Sequence, residues 1–117
     1  MDIAGRNITE YLCRLLQKKG YAFNSSADFD FVRELKEEYC FVSNDIDYDR
    51  KLERETTYYN SFHLLPDDTR IRISDEKFEA PEILFSPYLL GMDVNGIPEM
   101  MFKSINNCPM DLRKSLY

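Results

Sequence analysis

Arg33, Lys36 and Glu37 stand three and four residues apart, so a helix would carry all three side chains in one sector. Such a trio can do either of two things. As an exposed Arg–Glu pair at i,i+4 it would add about 0.2–0.5 kcal/mol to a solvated helix. As a nucleoside site, the guanidinium would stack on or hydrogen-bond a base, the ammonium would reach a sugar or base edge, and the carboxylate would accept the ribose hydroxyls. Spacing leaves both readings open.

The remaining reactive residue types form no comparable group. His63 is the single histidine and falls in a β-prone run, with no nucleophile or metal-ligand spacing around it. Asp45, Asp47 and Asp49 imitate the opening of a calcium loop, yet Arg50 stands where the loop needs Gly and Thr56 where it needs Glu. They read better as the acidic start of a helix. Gly5, Gly20, Gly91 and Gly96 are scattered and build neither a GxGxxG turn nor a P-loop. Cys13, Cys40 and Cys108 are odd in number, lack CxxC spacing and read as reduced thiols. Asn7-Ile8-Thr9 and Asn24-Ser25-Ser26 match glycosylation sequons, but both sit at helix starts and no secretory leader is visible.

The elements that must position these residues are mostly helical. Asn7 as N-cap with Glu10 three residues on predicts a first helix whose stripe is Ile8, Leu12, Leu15 and Leu16, with Tyr11 at its margin. Lys18 and Lys19 suit its C-terminal end, and Gly20 suits the left-handed position beyond it. A second helix starts near Ser25 or Ser26 and buries Phe31, Val32, Leu35 and Tyr39, leaving the Arg33, Lys36 and Glu37 sector elsewhere. A short third helix is expected from about Asp45 to Arg54. The runs Phe62–Leu65 and Arg70–Ile73 flank Pro66-Asp67-Asp68-Thr69 and predict an antiparallel hairpin that must pack on the helices. Pro81 and Pro98 suit first-turn positions of two further helices, the second using Met101, Phe102 and Ile105; Pro109 restarts a turn toward Leu116. Between them Phe85 to Met92 is an apolar loop broken by Pro87 and Gly91. The fold class is therefore α/β in an α+β-like form, mostly helical with one small antiparallel hairpin.

Composition bounds the function classes. At 117 residues, with 44% hydrophobic and 31% charged residues, the chain fits one globular segment. A net charge of −6 argues against nucleic acid or an anionic membrane as partner, since phosphate binding needs clustered Lys and Arg. No apolar run approaches the roughly 20 residues that span a bilayer.

In this frame several stretches together resemble the actin family. Met1-Asp2-Ile3-Ala4-Gly5-Arg6-Asn7-Ile8-Thr9 is similar to its D-x-A-G-R-D-x-T segment. The similarity continues through Gly20-Tyr21-Ala22-Phe23, Val32-Arg33-Glu34-Leu35-Lys36-Glu37, Cys40-Phe41-Val42, Leu65-Pro66-Asp67, Phe78-Glu79-Ala80-Pro81-Glu82, Leu90-Gly91-Met92, Gly96-Ile97 and Asp111 to Tyr117, in order and without large gaps. Ala27-Asp28-Phe29, Glu55-Thr56-Thr57 and Phe78-Glu79-Ala80-Pro81-Glu82 look closer to an actin-related branch, and Leu89 to Tyr117 closer to conventional actin, so the branch stays open at this point.

The resemblance implies that residues 1–117 are a single segment of an actin-like ATPase-domain fold, namely subdomain 4 with flanking pieces of subdomain 3, from within a longer chain. It implies that Gly5, Arg33, Lys36 and Glu37 line the adenosine end of the cleft, Arg33 and Lys36 toward the base and Glu37 toward the ribose. The cofactor of the full-length parent would be ATP or ADP with magnesium. The family is a slow ATPase, but its phosphate loops and magnesium-coordinating acids match no part of this segment, which alone would neither hold nucleotide tightly nor hydrolyse it. Expected partners are other actin or actin-related subunits and actin-binding proteins, in the cytoplasm and cytoskeleton. Leu89 to Val94 would be a plug between filament strands, and Ala22 to Asp28 with Pro66 to Asp68 would make longitudinal contacts. Asn7 stands where the family has Asp, and Asp68 where it has Gly. A docking subunit with a vestigial nucleotide site is the competing implication; a free-standing small domain of unrelated function is the third.

Overall fold

The computed structural model describes residues 3–21, 23, 26–65 and 68–117, with backbone only at 26 and 27. It contains six helices and one hairpin among those residues: α1 Gly5–Lys18, α2 Ser26–Tyr39, α3 Ile46–Glu55, β1 Ser61–Leu64, β2 Arg70–Ile73, α4 Glu76–Glu79, α5 Ile97–Asn106 and α6 Met110–Leu116. Two 3₁₀ turns, Pro81–Leu84 and Pro87–Leu90, lie between α4 and α5. The mostly helical fold with an antiparallel hairpin is thus the one the sequence predicts.

α1 begins two residues before the predicted cap. Ala4 is the N-cap, and Asn7 sits in the first turn, where its Oδ1 accepts the Ala4 N–H at 2.9 Å. Asn7 therefore serves the returning half of a capping box instead of its leading half. At the other end the Gly20 N–H donates to Gln17 O and the Tyr21 N–H to Leu16 O, the paired bonds of a Schellman close. Gly20 at φ +99° supplies the left-handed residue this close needs. The predicted start of α2 at Ser25 lies outside the described residues. α3 matches its expected span, with the Asp45 carboxylate accepting the Tyr48 N–H at 3.2 Å as a helix cap.

The hairpin pairs Ser61 with Ile73, Phe62 with Arg72, His63 with Ile71, and Leu64 with Arg70. Ile71 and Ile73 face the core, and the alternate residues face outward. Pro66 and Asp67 lie outside the described residues. Asp68 closes the turn at φ +68°, donating its N–H to Leu65 O at 2.9 Å. A non-Gly residue there carries strain of roughly 1–2 kcal/mol, less for Asp than for most residues. Asp68→Gly should therefore raise stability by about 0.5 kcal/mol after the extra freedom of Gly in the unfolded chain is subtracted. A denaturation midpoint that stays level or drops would show that the Asp68 side chain stabilises the turn by more than the strain costs.

Two apolar clusters hold the segment together. The first joins Leu12 and Leu16 of α1, Val32 and Leu35 of α2, Ile71 and Ile73 of β2, Phe23 and Ala80. The second gathers Ile3, Ile83 and Leu90. Ile8 and Tyr11 of α1 pack against both. The expected stripes of α1 and α2 are thus the ones buried.

Three expectations are corrected further along. Pro81 opens a 3₁₀ turn directly after α4, so no long helix follows it. Leu90 is core at 7% exposure, although Tyr88 in the same apolar loop is 73% exposed. On α5, Met101 and Phe102 are more than half exposed, and neither α5 nor α6 buries a residue. The apolar face of α5 instead shares an open groove of about 520 Å³ with α6, lined by Ile97, Met100, Met101, Ser104, Ile105 and Leu116. The radius of gyration is 17.0 Å, against about 13 Å for a compact chain of this length.

Candidate functional site

The start of α1 and the exposed flank of α2 meet at one atom. The Gly5 carbonyl accepts the Lys36 ammonium at 3.2 Å and the Thr9 hydroxyl at 3.2 Å. Gly5 lies in the first turn of α1, where a carbonyl is already committed to the helix, so the ammonium is held by an added, charge-assisted bond. A Cβ on Gly5 would stand 3.4 Å from Lys36 Nζ, an ordinary contact. The glycine keeps the α1 backbone bare beside the ammonium, and no unusual dihedral requires it.

Lys36 is half-buried, while Arg33 and Glu37 are exposed on the same sector of α2. The i,i+4 pair that spacing allows between Arg33 and Glu37 is not made. The ion pairs among the described residues are Glu10–Arg14, Lys19–Glu76, Asp47–Arg50 and Glu79–Arg50. From α1, Arg6 lays its guanidinium 5.7 Å from the centre of the Phe29 ring, a second cation reaching across to α2. The structure therefore brings Gly5 and Lys36 into contact and sets Arg33 and Glu37 beside them on one helix face. Chemically this strip offers planar and point-charge donors and one carboxylate acceptor. It contains no nucleophile paired with a base.

The other titratable groups serve the fold. Cys40 donates its thiol toward Glu76 O at 3.8 Å, and burial pushes that thiol up to about 12. His63 Nδ1 meets the Tyr39 hydroxyl at 3.0 Å, between the Phe31 and Tyr39 rings, as an ordinary hairpin side chain would. Asp49 accepts hydroxyls from Ser43 and Tyr59, and its bond to Tyr59, followed by burial, raises that phenol to about 12. Among the described residues no cluster of three or more metal-ligating side chains occurs.

Two features escaped sequence reasoning. Glu76 is 2% exposed, where it pairs with Lys19 and accepts the Ser74 N–H at 2.9 Å. Arg50 grips Glu79 with both arms of its fork, at 2.6 and 3.1 Å. Each pair joins residues far apart in sequence, so helical spacing carries no signal for either.

Comparison with known proteins sets this geometry in a family. A family model described as Actin matches residues 1–117. Actin-related protein 2 of Saccharomyces cerevisiae is 46% identical over 117 residues, covering 100% of this chain and 30% of the relative. Actin-related protein 2 of Schizosaccharomyces pombe is 47% identical over 117 residues, with 100% and 30% covered. That of Drosophila melanogaster is 46% identical, with 100% and 29% covered. The chain thus spans about 30% of the length of the curated relatives it matches. Among the described residues no helix is long and apolar enough to cross a membrane.

Proposed function

The chain belongs to the actin family, and from that premise we propose that it forms the adenosine-side wall of the ATP-binding cleft in an actin-related cytoskeletal protein. The segment corresponds to subdomain 4 with flanking pieces of subdomain 3. Arg33 and Lys36 face the base, Glu37 accepts the ribose hydroxyls, and Gly5 keeps the wall free of a side chain at the start of α1. The observation that carries this reading is the 3.2 Å bond from Lys36 Nζ to Gly5 O, which makes one surface of two elements distant in sequence. The open Arg33–Glu37 pair supports it further, since both side chains remain available to a ligand.

The residues present suit adenosine and leave the phosphates and magnesium of ATP or ADP to chain outside this segment. Partners are other actin or actin-related subunits and actin-binding proteins, with Tyr88, 73% exposed, and its loop among the contact surfaces.

The test is a nucleotide titration of the full-length protein. Glu37→Ala should weaken ATP binding by about 1–3 kcal/mol, the usual loss when a charged hydrogen-bond partner goes. It should also narrow the preference for ribose over deoxyribose. Glu38→Ala, one residue on and aimed elsewhere, is the control and should change little. Equal effects from the two variants would remove Glu37 from the sugar site. A parent that binds no nucleotide would leave the segment as a docking subunit with a vestigial cleft.

A further inference from the structure

The outer face of the hairpin is built unlike a solvated strand face. Phe62 and Leu64 of β1 point outward at 55% and 59% exposure, and their register partners Arg72 and Arg70 are exposed beside them. Arg70 lies over the Phe62 ring at 4.5 Å, so its guanidinium extends across β1 toward the edge of the sheet. Among the described residues neither arginine is in an ion pair. The chain as a whole carries −6, whereas this face presents two exposed arginines.

The two edges of the sheet also differ. On β2 the Arg72 N–H donates to the Tyr21 hydroxyl at 3.1 Å, and the Arg72 carbonyl accepts Lys19 Nζ at 3.2 Å. That edge is sealed by the end of α1. Because Arg72 directs its amide groups away from β1, its register partner Phe62 directs its own away from β2, and so does Leu64 two residues on. The edge of β1 thus offers two N–H and two C=O groups below an apolar, arginine-topped face.

We infer that β1 receives an extended acidic segment of a partner protein as a third strand, with carboxylates of its outward residues on Arg70 and Arg72. Charge complementarity selects this occupant: glutamate side chains at alternate positions reach the guanidinia, and their methylene stems cover Phe62 and Leu64. The backbone edge supplies register, and the arginines supply sign. This goes beyond the cleft reading and uses none of its residues.

The test uses the full-length protein and a short blocked peptide of alternating Glu and Val, with a Lys and Val analogue as control. The Glu peptide should bind and slow amide exchange at Phe62 and Leu64, and its affinity should fall with salt. Arg70→Glu with Arg72→Glu should weaken it by about tenfold or more, as expected when rim charges are reversed. Leu64→Pro removes one outward N–H without touching the β1–β2 ladder and should also weaken binding; the exchange measurement on the unaltered protein stands if that variant folds poorly. Equal binding of the two peptides, binding untouched by the arginine reversal, or no slowing at Phe62 and Leu64 would overturn the assignment. Self-association through this edge that excludes the peptide would overturn it as well, giving the edge to a second copy.

Discussion

Phe78→Ala should lower stability by about 3–5 kcal/mol, the cost of deleting a fully buried aromatic side chain and leaving its cavity. Phe78 has no exposed surface, and its ring meets Tyr59 at 5.3 Å and Phe41 at 6.1 Å. Those rings bring the start of β1 and the exit of α2 onto α4. Total stabilities run to about 5–15 kcal/mol, so this one change removes about a fifth or more of what a domain usually has. Tyr88→Ala, at a residue 73% exposed, should stay within about 0.5 kcal/mol. Urea denaturation of the two variants decides the matter: a Phe78→Ala loss below about 1 kcal/mol would mean that the aromatic cluster collapses around the gap.

Lys19→Met should cost about 3 kcal/mol at neutral pH, because it strands the buried Glu76 carboxylate. Burial already holds Glu76 above its ordinary value of 4.5, opposed by the Lys19 and Ser74 hydrogen bonds. Removing Lys19 takes away one of those two opposing bonds and drives the carboxyl higher. With the folded value raised, the native state keeps its proton to higher pH than the unfolded chain. The contribution of Glu76 is then fully present below about 4.5 and is lost as pH rises through the folded value. The gap between parent and variant should accordingly be wide at pH 7 and shrink on acidification. A residual, pH-independent loss comes from the Lys19 bond to Arg72 O. Denaturation at neutral and mildly acidic pH measures both parts, and a gap that stays constant with pH would mean that Glu76 is not the group left stranded.

What was legible in the sequence was local. The stripes of α1 and α2, the acidic start of a helix near Asp45 and the alternation of Arg70 to Ile73 each follow from spacings of two to four residues, and all appear where expected. Asn7 takes the opposite side of the capping box from the one its spacing predicts, because Ala4, which has no side-chain acceptor, gives no signal as an N-cap. Pro81 carries no signal for which of the two it opens, because a proline that opens a helix and one that opens a 3₁₀ turn present the same fixed φ. Met101, Phe102 and Ile105 have a helical spacing that fits burial, but among the described residues only the short α6 lies against that face, and Met101 and Phe102 stay more than half exposed. At the site, the common sector of Arg33, Lys36 and Glu37 was legible from periodicity alone. The bond between Lys36 and Gly5 was not, because it joins two helices, and periodicity describes only one at a time.

Ile8 and Tyr11 touch both apolar clusters from a single helix. That arrangement makes α1 an axle. A shift of the cluster around Ile83 and Leu90 against the one around Leu16 and Ile71 has to move α1 or reseat its two side chains, and has to bend the short chain from Ala80 to Ile83 as well, since packed interiors deform little. One turn from Ile8 along that axle stands Gly5, whose carbonyl holds Lys36 on the exposed flank of α2.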